Sequence, residues 1–266
     1  MKATNRILQI ACRSYRLPRG RYRLIDLARR HIGGVVLGKD RFGNRLLLDL
    51  DNYVDAMVFL AGSYEDESMT LFAQVAHERG CETVVDIGAN IGCYTTFFAR
   101  QHWISRVYCF EPDPNHYAQL QANVWLNDGV RKISTYNLAL SDASGTAELY
   151  VPRKVRRRGT RQYNTSASAI ESPSAAAEPT TVPVRRLDDV LGAGGCAAAI
   201  KIDVEGHELH VLRGMPHWLR SNARVLLIES GQARFAAADE LLRDAGLARV
   251  DVHLPFDNHL YRRVST

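Results

Sequence analysis

Hydrophobic and polar positions along this chain alternate in blocks that predict strands and helices in turn. Runs of mainly apolar residues predict buried strands at 83–87, 106–110, 133–140, 198–203 and 224–229. Helical spacing follows or precedes each run, at 65–79, 91–101, 114–126, 207–213 and 235–245. This alternation predicts an α/β fold with a doubly wound, mostly parallel sheet. Two last strands, near 248–253 and 259–264, have no helix between them and predict an antiparallel hairpin at the sheet edge.

The remaining segments predict an N-terminal extension and an internal loop. Short apolar runs at 35–37 and 45–50 flank Phe42-Gly43-Asn44, a pattern typical of a β-hairpin. Residues 146–151 and 182–187 alternate as two further edge strands. Between them, 152–183 is rich in arginine, serine, alanine and proline, which predicts a mobile loop that is either a lid over substrate or a solvated surface loop. We therefore divide the chain into a basic N-terminal extension, 1–64, made of helix and the β-hairpin, and a main domain, 65–266.

The first buried strand ends in a glycine turn that predicts a nucleoside cofactor. The turn reads Asp86-x-Gly88-x-Asn90-x-Gly92, and Glu111 ends the next strand nineteen positions later. In such a turn, backbone N–H groups can approach a bound nucleoside closely. An acid about this far along the chain is positioned to bind the ribose hydroxyls of that nucleoside. A dinucleotide site, such as that of a short-chain NAD oxidoreductase, would need glycine where Asn90 stands. These features favour S-adenosylmethionine, which carries no phosphate.

A second strand also ends in acidic residues. Asp203 and Glu205 follow the apolar run at 198–203, and Glu229 ends the run at 224–229. Two acids spaced by two residues on an extended strand end would point the same way. Because the carboxyl ends of parallel strands share one edge, we expect these acids near the glycine turn.

At this point the chain resembles the FkbM-like family of S-adenosylmethionine-dependent methyltransferases, over roughly residues 50–260. The resemblance is carried by Val85–Gly92, Phe110-Glu-Pro112, Ala139-Leu-Ser-Asp142 and Ile200-Lys-Ile-Asp-Val-Glu-Gly-His-Glu208. It implies a seven-stranded sheet and two groups of site residues. The expected cofactor-binding residues are Glu65, Asp86, Gly88, Ala89, Asn90, Gly92, Thr95, Glu111, Pro112, Ser141, Asp142 and Asp203. The expected catalytic residues are Asp203, Glu205, His207 and Glu229.

Methyl transfer to a hydroxyl requires alignment of the acceptor oxygen and a group that takes its proton. Clustered carboxylates raise one another's pKa, which suits a base, while two acids on neighbouring strand ends would also suit Mg²⁺. We favour a metal-free base. The resemblance implies a sugar or polyketide-type acceptor, and the basic segments favour a sugar-containing or anionic one, such as a glycan or glycolipid precursor. A non-catalytic partner that keeps the fold is the remaining alternative.

Charge and cysteine content limit the classes of partner and the cell compartment that we expect for this chain. The chain carries a formal charge of +5, yet residues 1–31 hold nine Lys or Arg against Asp26 alone. Such a segment is typical of a solvated helix face, a contact with an anionic membrane, or a contact with a polyanionic substrate. No nucleic-acid-binding motif accompanies these basic residues, so we do not expect nucleic-acid binding. Five scattered cysteines and the lack of a long apolar run predict a reduced, cytoplasmic protein.

Overall fold

A computed structural model describes residues 3–14, 28, 30–127, 131–152, 156–157, 160–161, 170 and 177–264. The helices are α1 Ala3–Ser14, α2 Tyr53–Ala61, α3 Asp66–Glu78, α4 Cys93–Ala99, α5 Pro114–Trp125, α6 Leu187–Leu191, α7 Glu208–Arg213 and α8 Gln232–Asp244, with a π-helical turn at Trp218–Asn222. The strands are β1 Val35–Lys39, β2 Arg45–Asp49, β3 Thr83–Ile87, β4 Arg106–Phe110, β5 Ile133–Tyr136, β6 Ala139–Leu140, β7 Gly145–Pro152, β8 Arg156–Arg157, β9 Thr160–Arg161, β10 Ala177–Arg185, β11 Ala198–Ile202, β12 Ala223–Glu229, β13 Leu247–Arg249 and β14 Asn258–Arg263.

The chain divides into two compact units. Unit 1 comprises residues 1–64 and 152–167, and unit 2 comprises residues 65–151 and 168–266. In unit 1, β1 and β2 form the expected antiparallel hairpin, with Leu37 opposite Leu47. The guanidinium of Arg13 on α1 donates hydrogen bonds to the carbonyl oxygen of Phe59 on α2, at 3.1 and 3.2 Å, and of Lys39 on β1, at 3.0 Å. This one side chain therefore ties the helix, the hairpin and α2 together.

Unit 2 contains the predicted seven-stranded sheet. Its order is β13-β14-β12-β11-β3-β4-β5. The five strands from β12 to β5 run parallel, and β14 pairs antiparallel with both β12 and β13. Every residue of β3 and β11 is buried, as expected of central strands covered by helices on both faces. The predicted α/β class and the antiparallel edge are confirmed.

Several element boundaries differ from the sequence-based expectation. The run at 133–140 is two strands, β5 and β6, and only β5 belongs to the large sheet. The strand expected at 182–187 starts earlier, at Ala177, and Leu187 already begins α6. β10 lies between β6 and β7 in a separate three-stranded sheet. The expected loop at 152–183 therefore includes regular structure, at β8, β9 and the start of β10, and the rest of that segment lies mostly outside the described residues.

Candidate active site

The glycine turn between β3 and α4 lies directly against the end of β11. Gly88 has φ +77°, and a Cβ atom built on it would lie 1.8 Å from the carbonyl oxygen of Asp203. Gly92 has φ +89°, and its Cβ would lie 2.6 Å from Cδ1 of Leu120 on α5. Both positions require glycine, the first because backbone meets backbone. β3 and β11 are also the strands at which the order of the sheet reverses, where open α/β sheets bind ligands.

Glu111 fastens this turn to the end of β4. Its Oε2 accepts a hydrogen bond from the backbone N–H of Asn90 at 2.8 Å, and its Oε1 accepts one from the N–H of Asp113 at 2.9 Å. Burial raises the pKa of Glu111 to about 8 even though both backbone donors favour the charged form. Nearby, the amide of Asn137 donates to the carbonyl oxygen of Pro112 at 3.1 Å. Each carboxylate oxygen of Glu111 keeps a second acceptor site, so a contact with ribose hydroxyls stays a prediction.

Lys201, the last but one residue of β11, joins the turn to the acids that follow the strand. Its Nζ donates to Oδ2 of Asp203 at 3.0 Å and to the carbonyl oxygen of Gly88 at 3.1 Å. Oδ1 of Asp86 lies 3.9 Å away. Burial opposes the charge of the ammonium, but the carboxylates of Asp203, Asp86 and Glu65 outweigh it and raise the pKa of Lys201. The lysine is therefore held in its charged form by its neighbours.

Asp86, the last but one residue of β3, is fully buried. Its Oδ2 accepts a 2.6 Å hydrogen bond from the hydroxyl of Thr95 on α4. Its Oδ1 has no hydrogen-bond donor among the residues that the structure describes. Burial raises the pKa of Asp86, while Lys201 and Thr95 counteract that rise. A buried carboxylate oxygen without a donor is an unusual feature that calls for a ligand or a functional role.

Glu65 is brought to the same place from ahead of α3. Its Oε1 accepts from the amide of Asn258 on β14 at 3.0 Å, and its Oε2 accepts from the hydroxyl of Tyr94 on α4 at 3.3 Å. Burial and then the charge of Asp203 raise the pKa of Glu65. Three segments far apart in the sequence therefore fix this carboxyl group.

Glu205 and Glu229 complete the group of acids. Burial and the charge of Asp203 raise the pKa of Glu205 to about 7 and that of Glu229 to about 9. The reasoning from strand alternation was wrong for Glu205, because β11 ends at Ile202 and Glu205 lies in a turn with φ +51°. The negative charge of Asp203 nevertheless acts on the carboxyl group of Glu205. A carboxylate whose pKa lies near neutrality is suited to accept a proton.

Ser141, Asp142, His207 and His210 form a second polar group at the ends of β6 and the start of α7. The hydroxyl of Ser141 lies 2.9 Å from Nε2 of His207, and Oδ2 of Asp142 lies 2.8 Å from Nδ1 of His210. The two imidazole rings stack with centroids 4.5 Å apart. The hydrogen bond from His210 lowers the pKa of Asp142. His207 thus contacts Ser141, one of the expected cofactor-binding residues.

No cluster of three or more His, Cys, Asp or Glu side chains within the described part of the chain has an arrangement that would hold a metal ion. Mg²⁺ was the less favoured of the two sequence-based expectations.

Three residues of this site were given no role from the sequence: Lys201, which was quoted only as part of the family segment, Tyr94 and Asn258. Lys201 could have been found, because a lysine inside the apolar run Ala198–Ile202 is buried on both sides and must be paired. Tyr94 and Asn258 carry no such signal, since each meets Glu65 only through the tertiary fold.

Comparison with known proteins agrees with this geometry. The profile of the methyltransferase FkbM domain matches residues 86–247. Methyltransferase 1 of Beauveria bassiana is 31% identical over 62% of this chain and 72% of its own length. 31-O-demethyl-FK506 methyltransferase FkbM of Streptomyces tacrolimicus is 30% identical over 65% of this chain and 75% of its own. Hexuronic acid methyltransferase AglP of Haloferax volcanii is 27% identical over 63% of each. The chain belongs to the FkbM family of methyltransferases.

Proposed function

We propose that this protein is an S-adenosylmethionine-dependent O-methyltransferase that acts on a hydroxyl of a sugar, glycan or natural-product acceptor. The observation that carries the proposal is an excess of carboxyl groups over ammonium groups beside the glycine turn. Five carboxyl groups interact there with one ammonium group, that of Lys201; they belong to Glu65, Asp86, Asp203, Glu205 and Glu229. A site of this charge favours a cationic ligand.

S-adenosylmethionine fits that requirement. Its sulfonium and ammonium groups outweigh its single carboxylate, so the molecule carries a net positive charge. Buried acceptor oxygens without a donor among the described residues, Oδ1 of Asp86 and Oδ1 of Asn90, suit a ligand that brings N–H or O–H donors. We assign Glu111 to the ribose hydroxyls, and Ser141 with Asp142 to the border of the adenine. Asp86 is the residue we assign to the ammonium group.

The chemistry expected of the protein's own residues is positioning and proton removal. The bound cofactor supplies an electrophilic methyl group, and an acceptor oxygen must be aligned with it. Glu229 and Glu205 have no hydrogen-bond donor among the described side chains and raised pKa values, so either carboxylate is suited to accept the hydroxyl proton. Asp203 accepts a hydrogen bond from Lys201, and its charge raises the pKa of both Glu205 and Glu229. His207 orients Ser141. We favour this metal-free arrangement over one with Mg²⁺.

The acceptor is proposed from the relatives and from charge. One relative is named for a hexuronic acid and another for 31-O-demethyl-FK506. The basic segments of this chain lead us to favour an anionic or sugar-containing acceptor. A macrolide or other polyketide hydroxyl is the alternative. An activity screen in which neutral macrolides outperform uronic-acid glycans would reverse this order.

The cofactor is tested by isothermal titration of the full chain with S-adenosylmethionine and S-adenosylhomocysteine, with NAD as a control. We expect micromolar binding of both nucleosides, no binding of NAD, and loss of binding in Glu111→Ala. Affinity for S-adenosylmethionine relative to S-adenosylhomocysteine should rise with pH, because carboxyl groups with raised pKa values become anionic. Absence of binding to the wild type would refute the proposal.

Turnover separates an enzyme from a non-catalytic partner. Glu229→Gln should retain S-adenosylhomocysteine binding while methyl transfer to the best acceptor falls by about 100-fold. Cofactor binding without transfer to any acceptor in the wild type would favour the non-catalytic alternative.

A further inference from the structure

The two units of the chain carry opposite charge. Unit 1 holds 18 Lys and Arg against 5 Asp and Glu, a net charge of +13. Unit 2 holds 16 against 24, a net charge of −8. The basic charge of the chain is therefore concentrated in a unit that lacks the acid cluster. Such a unit attracts an anionic surface over a distance set by salt.

Helix α1 of this unit leaves an apolar strip uncovered. Its inner face buries Asn5 and Cys12, and the amide of Gln9 donates to the carbonyl oxygen of Phe59 on α2. On the other side, Ile7 is 66% exposed and Ile10 is 57% exposed. These residues are three apart and so neighbour each other on the helix surface, next to the exposed Arg6. The strip is apolar with a basic border.

The hairpin of the same unit has a similar strip. Val35 and Leu37 on β1 are 64% and 53% exposed, and they share a face with Lys39 because side chains alternate along a strand. Arg45 lies directly opposite Lys39 and is also exposed. Half of the eight large apolar side chains that are exposed in the described structure thus belong to unit 1.

We propose that unit 1 binds the surface of an anionic lipid membrane. A soluble polyanion would account for the charge but not for exposed isoleucine and valine side chains bordered by basic ones. An interface of anionic lipid accounts for both, because apolar side chains enter the headgroup region while Lys and Arg stay at the phosphates. Within the described residues, no helix is long and apolar enough to cross the bilayer. The proposal is independent of methyl-transfer activity.

The experiment is co-sedimentation of the full chain with sucrose-loaded vesicles of phosphatidylcholine, with or without phosphatidylserine. We expect binding at least about tenfold tighter to the anionic vesicles, weakening as salt is raised. Ile7→Ser/Ile10→Ser should weaken binding by about tenfold, and Arg6→Gln by about fivefold. The matched control is Val252→Ser/Val264→Ser in unit 2, whose valines are 40% and 52% exposed; it should bind as the wild type does.

Two results would overturn the proposal. One is equal binding of the wild type to both kinds of vesicle. The other is unchanged binding of Ile7→Ser/Ile10→Ser together with full competition by inorganic polyphosphate, which would identify a site for soluble polyanions instead. Thermal melting of each variant checks that unit 1 stays folded. If the double variant melts early, the competition with polyphosphate decides the matter: full displacement of the wild type from anionic vesicles would overturn the proposal, and retained binding would support it.

Discussion

Two groups of charged side chains lie in unit 2, and they differ chiefly in burial. In the first, Lys201 meets Asp203 and Asp86 where it is almost fully buried. In the second, Asp142 pairs with His210, and each side chain is 37% exposed. The nitrogen–oxygen distances are alike, at 3.0 Å for Lys201 with Asp203 and 2.8 Å for His210 with Asp142. Distance alone would rank the two pairs as equals.

The two pairs differ in how far they are buried, and this sets the strength that we expect of each. Water and salt screen the exposed pair, whereas the buried charges have exchanged hydration for one another. Removing one partner from the buried group leaves carboxylates without compensation. We therefore expect the buried group to fix the fold of the site and its affinity for a cation, and the exposed pair to adjust a loop.

The largest effect is expected from Lys201→Met. Asp86 and Asp203 would lose the ammonium that compensates them, and breaking a buried ion pair costs about 3–5 kcal/mol. The free energy of unfolding in urea measures this loss. Lys132→Met is the control, because Nζ of Lys132 also donates to a carbonyl oxygen, that of Gln101 at 3.1 Å, but at a part-buried site. Equal losses in the two variants would show that burial of Lys201 is unimportant.

Lys201 also shows which features of the site could be predicted from the sequence. Glu111, Asp203 and Glu229 were placed correctly at the carboxyl edge, because apolar runs mark strands and parallel strands end together. The pairing of Lys201 was open to the same reasoning. The contacts of Glu65 with Tyr94 and Asn258 were not, since they depend on how three distant segments pack.

The next effect is expected from Gly88→Ala, which tests the backbone contact beneath the buried group. The variant adds left-handed strain of about 1–2 kcal/mol, and its Cβ would also displace the carbonyl of Asp203. Gly80→Ala is the matched control, because Gly80 has φ +63° and nothing lies within 4 Å of its Cβ. Thermal melting should show Gly88→Ala to be less stable than Gly80→Ala by at least about 1 kcal/mol. If the two variants melted at the same temperature, the turn would accommodate the added Cβ atom at position 88 without a loss of stability.

A smaller, pH-dependent effect is expected from Glu229→Gln. The pKa of Glu229 is raised to about 9, so the folded chain keeps a proton that the unfolded chain loses near pH 4–5. Stability from this group therefore falls as pH rises from about 5 to 9. Glutamine removes that loss, so the variant should gain little at pH 4 and at least about 1 kcal/mol at pH 9. Calorimetry across this range checks it, with the exposed Glu240→Gln as control. A gain that does not change with pH would contradict the assignment.

The helices and strands likewise divide into those that the local sequence predicts and those that depend on tertiary packing. Strands β3, β4, β11 and β12 were predicted to within about two residues, because each is a short apolar run between polar turns. Helix α2 was not predicted. Val54 to Leu60 are buried throughout, so the helix has no polar face and hence no helical period in its sequence.

The smallest effect is expected from Asp142→Asn. The hydrogen bond from His210 lowers the pKa of Asp142, so its stabilisation is present above the ordinary pKa of a carboxyl group and is lost as pH falls through the folded value. Because the pair is exposed, the loss should stay below about 1 kcal/mol and shrink further in high salt. Urea unfolding at low and high salt, beside Lys201→Met, measures both pairs in one assay. A loss from Asp142→Asn that equalled the loss from Lys201→Met, at any salt concentration, would show that burial does not set the strength of these pairs.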